Sequence, residues 1–140
     1  ERYNALYQKI GNLNRLLAWG HARIIENLCG LRPDCPRALS DKFADTSLIV
    51  RALMEKGREI QLDQRTKAES DFAVAAASIL AREKFIDWLD AAGQKLGVTL
   101  ARGVSATVKD TARKIAEKGG KGALATVAKM HFKTAAEVLG

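Results

Sequence analysis

Between Arg37 and Asp63 the hydrophobic pattern changes period twice within about 27 residues. Arg37-Ala38-Leu39-Ser40 reads as a short strand ending at Asp41. Residues 46–56 return to helical spacing through Leu48, Ile49, Ala52 and Leu53, with Gly57 as the cap. Glu59-Ile60-Gln61-Leu62-Asp63 alternates polar and apolar, the signature of a strand with one exposed face. Strand, helix, strand at this spacing predicts a βαβ unit and therefore an α/β fold.

Helices are predicted on both sides. Residues 13–29 carry Leu13, Leu16, Leu17, Ile24, Ile25 and Leu28 at helical spacing, with Asn12 as N-cap and Gly30 as stop. Arg32-Pro33-Asp34-Cys35-Pro36 reads as a loop. Residues 69–96 read as one long helix or two consecutive ones. The first half is Ala-rich almost all round, which suits a helix packed tightly against a sheet. The second half becomes amphipathic through Phe85, Ile86, Leu89 and Leu96. A further helix runs from Thr107 to Lys118 behind a Ser105 cap, and Gly119-Gly120 breaks it. Two short helices, residues 121–130 and 134–139, complete a mostly helical C-terminal region.

Composition excludes several classes. The longest apolar run, residues 72–81, has ten residues and is too short to span a bilayer. Glu1-Arg2-Tyr3-Asn4 is polar with no apolar stretch behind it, so no signal peptide is expected. Cys29 and Cys35 have no zinc-site spacing and are expected as reduced thiols of a cytoplasmic protein. The chain has 140 residues and a net charge of +7, unevenly spread. Residues 31–97 hold eleven basic and eleven acidic side chains, whereas residues 98–140 hold eight basic and three acidic. A basic end of this kind points to a polyanion, most commonly nucleic acid.

Candidate chemistry is sparse. His21 and His131 are the only histidines, and no Ser-His-Asp arrangement follows from their spacing. For His21, beside Trp19 and Gly20 in a helix, a packing or capping role is expected. Gly119-Gly120-Lys121-Gly122 lacks the spacing of a phosphate loop. Asp41 and Asp71 are more informative. One follows a strand and the other opens the Ala-rich helix, whose dipole favours a carboxylate. Two carboxylates converging on one rim of a sheet suit a hard divalent cation. The local pattern equally allows a turn residue and a helix-terminal charge.

Three segments carry a resemblance. They are Asn12-Leu13-Asn14-Arg15-Leu16-Leu17-Ala18-Trp19-Gly20-His21-Ala22, Ala38-Leu39-Ser40-Asp41-Lys42-Phe43-Ala44, and the run from Lys67 through Ala75-Ala76-Ala77-Ser78-Ile79-Leu80-Ala81 to Arg82. Together they resemble bacterial ribonuclease HIII, of the type 2 ribonuclease H group. Gly103-Val104-Ser105 and Ala128-Lys129-Met130-His131-Phe132 resemble its closing segments, so the likeness covers nearly the whole chain.

The resemblance implies a ribonuclease H-like fold and an endonuclease that cuts the RNA strand of RNA–DNA hybrids, leaving a 5′-phosphate and a 3′-hydroxyl. It implies four carboxylates holding two divalent ions, Mg or Mn. By motif position Asp41 is the third carboxylate and Asp71 the fourth; Asp45 and Glu69 are rejected. Lys67, Ser105, Lys109 and Arg113 are the candidate phosphate contacts. No membrane association and no obligate protein partner are expected, and the full-length protein is expected to be a monomer.

The sequence also departs from that family. The first two carboxylates belong to an Asp-Glu pair in a Gly-rich segment, and this chain has no such pair. The chain opens on Glu1 rather than Met. The expectation is therefore an incomplete ribonuclease H-like fold, residues 1–140 being the C-terminal portion of the catalytic domain. The first strands and an N-terminal substrate-binding domain would lie before it, and the chain alone would be inactive or nearly so. The alternatives are a non-catalytic basic module that binds nucleic acid, and a structural α/β fragment of another parent.

Overall fold

A computed structural model describes residues 2–140. The elements are α1 (Arg2–Ile10), α2 (Leu13–Leu31), β1 (Arg37–Asp41), α3 (Ser47–Ala52), β2 (Gln61–Arg65), α4 (Phe72–Leu96), α5 (Ala106–Val127) and α6 (Lys133–Leu139). Short 3-10 turns at Lys56–Arg58 and Ala68–Ser70 precede β2 and α4. The chain divides into two compact units, Lys9–Leu80, and Glu1–Gln8 with Ala81–Gly140.

In the Lys9–Leu80 unit the βαβ expectation is met. β1 and β2 pair in parallel, with Arg37 opposite Gln61 and Asp41 opposite Arg65. α2 starts where the sequence places it, because the Asn12 side chain accepts from the Arg15 N–H at 3.0 Å. Its buried face agrees with expectation at Leu16 and Ile25 and differs elsewhere. Leu17, Ile24 and Leu28 are exposed, and Ala18, Ala22, Ile25 and Cys29 face the core. They pack with Ile49 and Leu53, and half-buried Ala38, Phe43 and Leu62 close over them. Small side chains on this stripe let α2 come close to its neighbours, which larger leucines would prevent.

The helix expected over residues 46–56 ends at Ala52, and Gly57 lies in the 3-10 turn that follows. A side chain at Gly57 would meet Leu53 at 3.2 Å and Ile25 at 3.3 Å, so the close approach itself calls for glycine. Glu26 of α2 ties down that turn, accepting from the Gly57 N–H at 2.9 Å and the Lys56 N–H at 3.2 Å. The Gly57 hydrogen bond, then that of Lys56, holds the Glu26 carboxyl below its ordinary range. Because the folded carboxyl is the stronger acid, its contribution is present above the unfolded range and lost as pH falls. The thermal midpoint of Glu26→Gln should fall less steeply than that of the native chain between roughly pH 5 and pH 3. Parallel curves would show that Glu26 is not coupled to folding.

The Ala-rich half of α4 departs most from expectation. Phe72, Ile79 and Leu80 are 93%, 70% and 61% exposed rather than packed on a sheet. The sheet has two strands among the described residues, and they are covered from the α2 side.

The other unit is helical. Asn4 of α1 donates to the carbonyls of Ala125 and Ala128, both at 2.9 Å, and accepts from the Met130 N–H at 3.0 Å. It thereby satisfies backbone groups that the end of α5 leaves unpaired. The Tyr7 ring stacks on His131 at 3.7 Å. Leu89, Ile115, Leu124 and Ala135 are buried. The expected break at Gly119-Gly120 is a kink inside α5, where Gly120 has φ 67°. Among the described residues, no helix is long and apolar enough to cross a membrane.

Candidate metal centre

Asp41 is the last residue of β1, at the carboxyl end of the parallel pair. In α/β sheets, ligands gather at that end. Its Oδ1 accepts from the Ala68 N–H at 3.2 Å. Lys42 N–H, next along, donates to the Arg65 carbonyl at 2.9 Å. The end of β1 is thus fastened both to the end of β2 and to the segment that leads into α4.

That segment places the second carboxylate. Lys67 has φ 54°, a left-handed backbone that side chains disfavour, and it starts the 3-10 turn Ala68–Ser70. Asp71 follows in extended geometry and caps α4. Its Oδ1 accepts from the Ala73 N–H at 2.9 Å, and its carbonyl accepts from Ala75 N–H at 2.9 Å. Its Oδ2 faces the Arg65 guanidinium at 3.6 Å, a long and half-exposed pair. Asp41 and Asp71 are therefore brought to one end of the sheet, joined through Arg65 and Ala68.

The two rejected acids sit differently. Asp45 opens the turn into α3 and accepts from Ser47 N–H at 2.8 Å. Hydrogen bonds from the Ser47 side chain and backbone hold its carboxyl below the ordinary range. Glu69 lies on the 3-10 turn with its side chain exposed.

His21, expected in a packing or capping role, lies beside this site. Its Nδ1 is 3.1 Å from the Oγ of buried Ser40, the residue before Asp41, and its ring tilts against Phe43. Burial pulls the imidazole pKa down, opposed by the nearby Asp41 charge. No local pattern marks a contact spanning 19 residues. Arg65 lies beyond the alternation that marks the second strand in the sequence, which ends at Asp63, and stands opposite Asp41 only through the observed register.

The candidate phosphate contacts fall in both units. Lys67 adjoins the Asp71 turn and is exposed. Ser105 is the N-cap of α5, accepting from the Val108 N–H at 3.4 Å. Lys109 pairs with Glu137 at 2.7 Å, and Arg113 with Asp110 at 2.6 Å.

Carboxylate oxygens are the donors that Mg²⁺ and Mn²⁺ prefer. Each aspartate has one oxygen engaged by a backbone N–H and the other without one. Among the described residues no three His, Cys, Asp or Glu side chains cluster as a metal cage. The donor chemistry fits a hard divalent ion, for which these two groups would be part of a coordination shell.

Residues 3–135 match the family model described as Ribonuclease HII. Ribonuclease HIII of Protochlamydia amoebophila is 42% identical over 139 residues, covering 99% of this chain and 46% of the relative. Ribonuclease HIII of Chlamydia trachomatis serovar L2 is 45% identical over 141 residues, covering 100% of this chain and 47% of the relative. The crystal structure of Bst-RNase HIII in complex with Mn²⁺ superimposes with a TM-score of 0.87 at 28% identity, covering 98% of this chain and 46% of that one. The chain thus spans less than half the length of these relatives, and its mixed α/β, mostly helical fold matches that of the solved structure.

Proposed function

Because this chain belongs to the ribonuclease HII family, we propose that it is the C-terminal portion of the catalytic domain of an endonuclease that hydrolyses the RNA strand of RNA–DNA hybrids. The observation that carries this is the placement of Asp41 and Asp71 at the carboxyl end of β1 and β2. The Mn²⁺ in the related crystal structure supports use of a divalent ion.

Asp41 and Asp71 would each offer their less encumbered oxygen to a Mg²⁺ or Mn²⁺ ion. Two such ions, completed by further carboxylates, would activate water and stabilise the leaving 3′ oxygen, giving 5′-phosphate and 3′-hydroxyl ends. The role of this chain is then to hold the two carboxylates. Ala68 N–H fixes one rotamer and Ala73 N–H the other. Ser40 and His21 brace the end of β1 from the α2 side. Lys67, Ser105, Lys109 and Arg113 would meet phosphates. The ion pairs of Lys109 and Arg113 are partly exposed, so exchanging a carboxylate for a phosphate costs little. With two acids of four, the chain alone is inactive or nearly so. We place the enzyme in the cytoplasm, as a monomer without an obligate protein partner.

The test is a chimera in which this chain replaces the matching region of the Protochlamydia amoebophila ribonuclease HIII. It should cut the RNA strand of a hybrid duplex with Mg²⁺ or Mn²⁺, whereas this chain alone should not. A chimera that folds and binds hybrid without cutting it would favour the alternative, a basic binding module. That alternative also requires the chain alone to bind duplex without metal and with a steep salt dependence.

A further inference from the structure

The unit formed by Glu1–Gln8 and Ala81–Gly140 holds a cavity of about 980 Å³, remote in sequence from Asp41 and Asp71. That volume is at the upper end of what small-molecule sites occupy. Its chemistry is specific in two ways.

First, the walls are aromatic. Phe85 and Trp88 lie one turn apart on α4 with ring planes 13° apart, and Phe132 joins them in the lining. All three are close to half exposed, at 48%, 45% and 46%. They offer flat apolar faces that the fold itself does not cover.

Second, the charge has one sign. Arg102, Lys129 and Lys133 line the cavity, and among the described residues no carboxylate does. Among the described residues, none of the three forms an ion pair. The Lys129 ammonium instead lies 5.1 Å from the Tyr3 ring and 5.9 Å from the Phe132 ring.

A flat ring with an attached anion satisfies both. We infer that this cavity binds a nucleoside monophosphate unit. Its base stacks on the Phe85, Trp88 and Phe132 faces, and its phosphate meets Arg102, Lys129 and Lys133. The unit is either a free nucleotide or an unpaired residue of a single strand, since both present the same base and phosphate. The site is distinct from the proposed metal centre and needs no metal ion.

Trp88 reports directly on it. The chain contains one other tryptophan, Trp19, so a Trp19→Phe background leaves Trp88 as the sole indole. UMP, uridine and a single-stranded uridylate octamer are titrated in EDTA, which silences any metal-dependent site. UMP or the octamer should quench Trp88 saturably, and uridine should bind about tenfold more weakly than UMP. UMP matching the octamer assigns the free nucleotide; binding by the octamer alone assigns the strand. Phe132→Ala should weaken binding at least about fivefold, the lower end of what one stacking face contributes. Lys129→Ala with Lys133→Ala should remove the preference for UMP over uridine, or weaken the octamer at least tenfold. These side chains are exposed, so circular dichroism should stay native; if Phe132→Ala does not fold, the lysine pair still decides. No saturable quenching by UMP or octamer up to millimolar concentration overturns the inference. So does binding that both sets of variants leave unchanged.

Discussion

In the chimera described above, Asp41→Asn and Asp71→Asn should each lower hybrid cleavage by at least about a hundredfold, the scale on which losing one electrostatic stabiliser acts. Hybrid binding and folding should stay close to native. The separation follows from the local geometry. Asp41 uses Oδ1 to accept from Ala68 N–H, and asparagine keeps an oxygen that does the same. Asp71 caps α4 through Ala73 N–H, and asparagine is as good an N-cap as aspartate. What each change removes is the negative charge, which matters only if a cation is held there. Cleavage assays at saturating hybrid, with binding measured in parallel, check this. Full activity in either variant would remove that residue from the ligand set.

The largest stability effect should come from Ile49→Ala, at about 2–5 kcal/mol. Ile49 is 1% exposed and packs against the small-residue stripe of α2, where nothing can collapse cheaply into the gap. Ile79→Ala should shift stability by no more than about 0.5 kcal/mol, because Ile79 is 70% exposed on α4. Denaturant unfolding of the two variants in this chain separates them. Equal losses would mean that the Ala-rich face of α4 carries as much of the core as α2 and α3 do.

Local chemistry was legible in the sequence where it acts locally. Asn12 as the cap of α2, the strand ending at Asp41, and the break at Gly119-Gly120 each depend on a few adjacent residues. The parallel pairing followed from the strand–helix–strand spacing. Choices made by distant partners were not legible. Periodicity marks α2 as amphipathic, yet the larger leucines on one side mask the Ala18, Ala22, Ile25 and Cys29 stripe that meets α3. Likewise an Ala-rich helix states what it can approach, and not whether a sheet lies there. Asn4 closing the end of α5 from more than 120 residues away has no sequence signature at all. For the candidate centre, Asp41 and Asp71 were found from position and resemblance. Ser40, His21 and Arg65, which surround them, emerged only with the fold.

The central claim is that Asp41 and Asp71 belong to one divalent-metal site. Anomalous diffraction from crystals of the chimera grown with Mn²⁺ tests it most directly. The account predicts a peak with Asp41 and Asp71 oxygens as ligands, at about 2 Å, or two neighbouring peaks with one aspartate on each. Mn²⁺ bound elsewhere, with both carboxylates still holding only Ala68, Ala73 and Arg65, would contradict it.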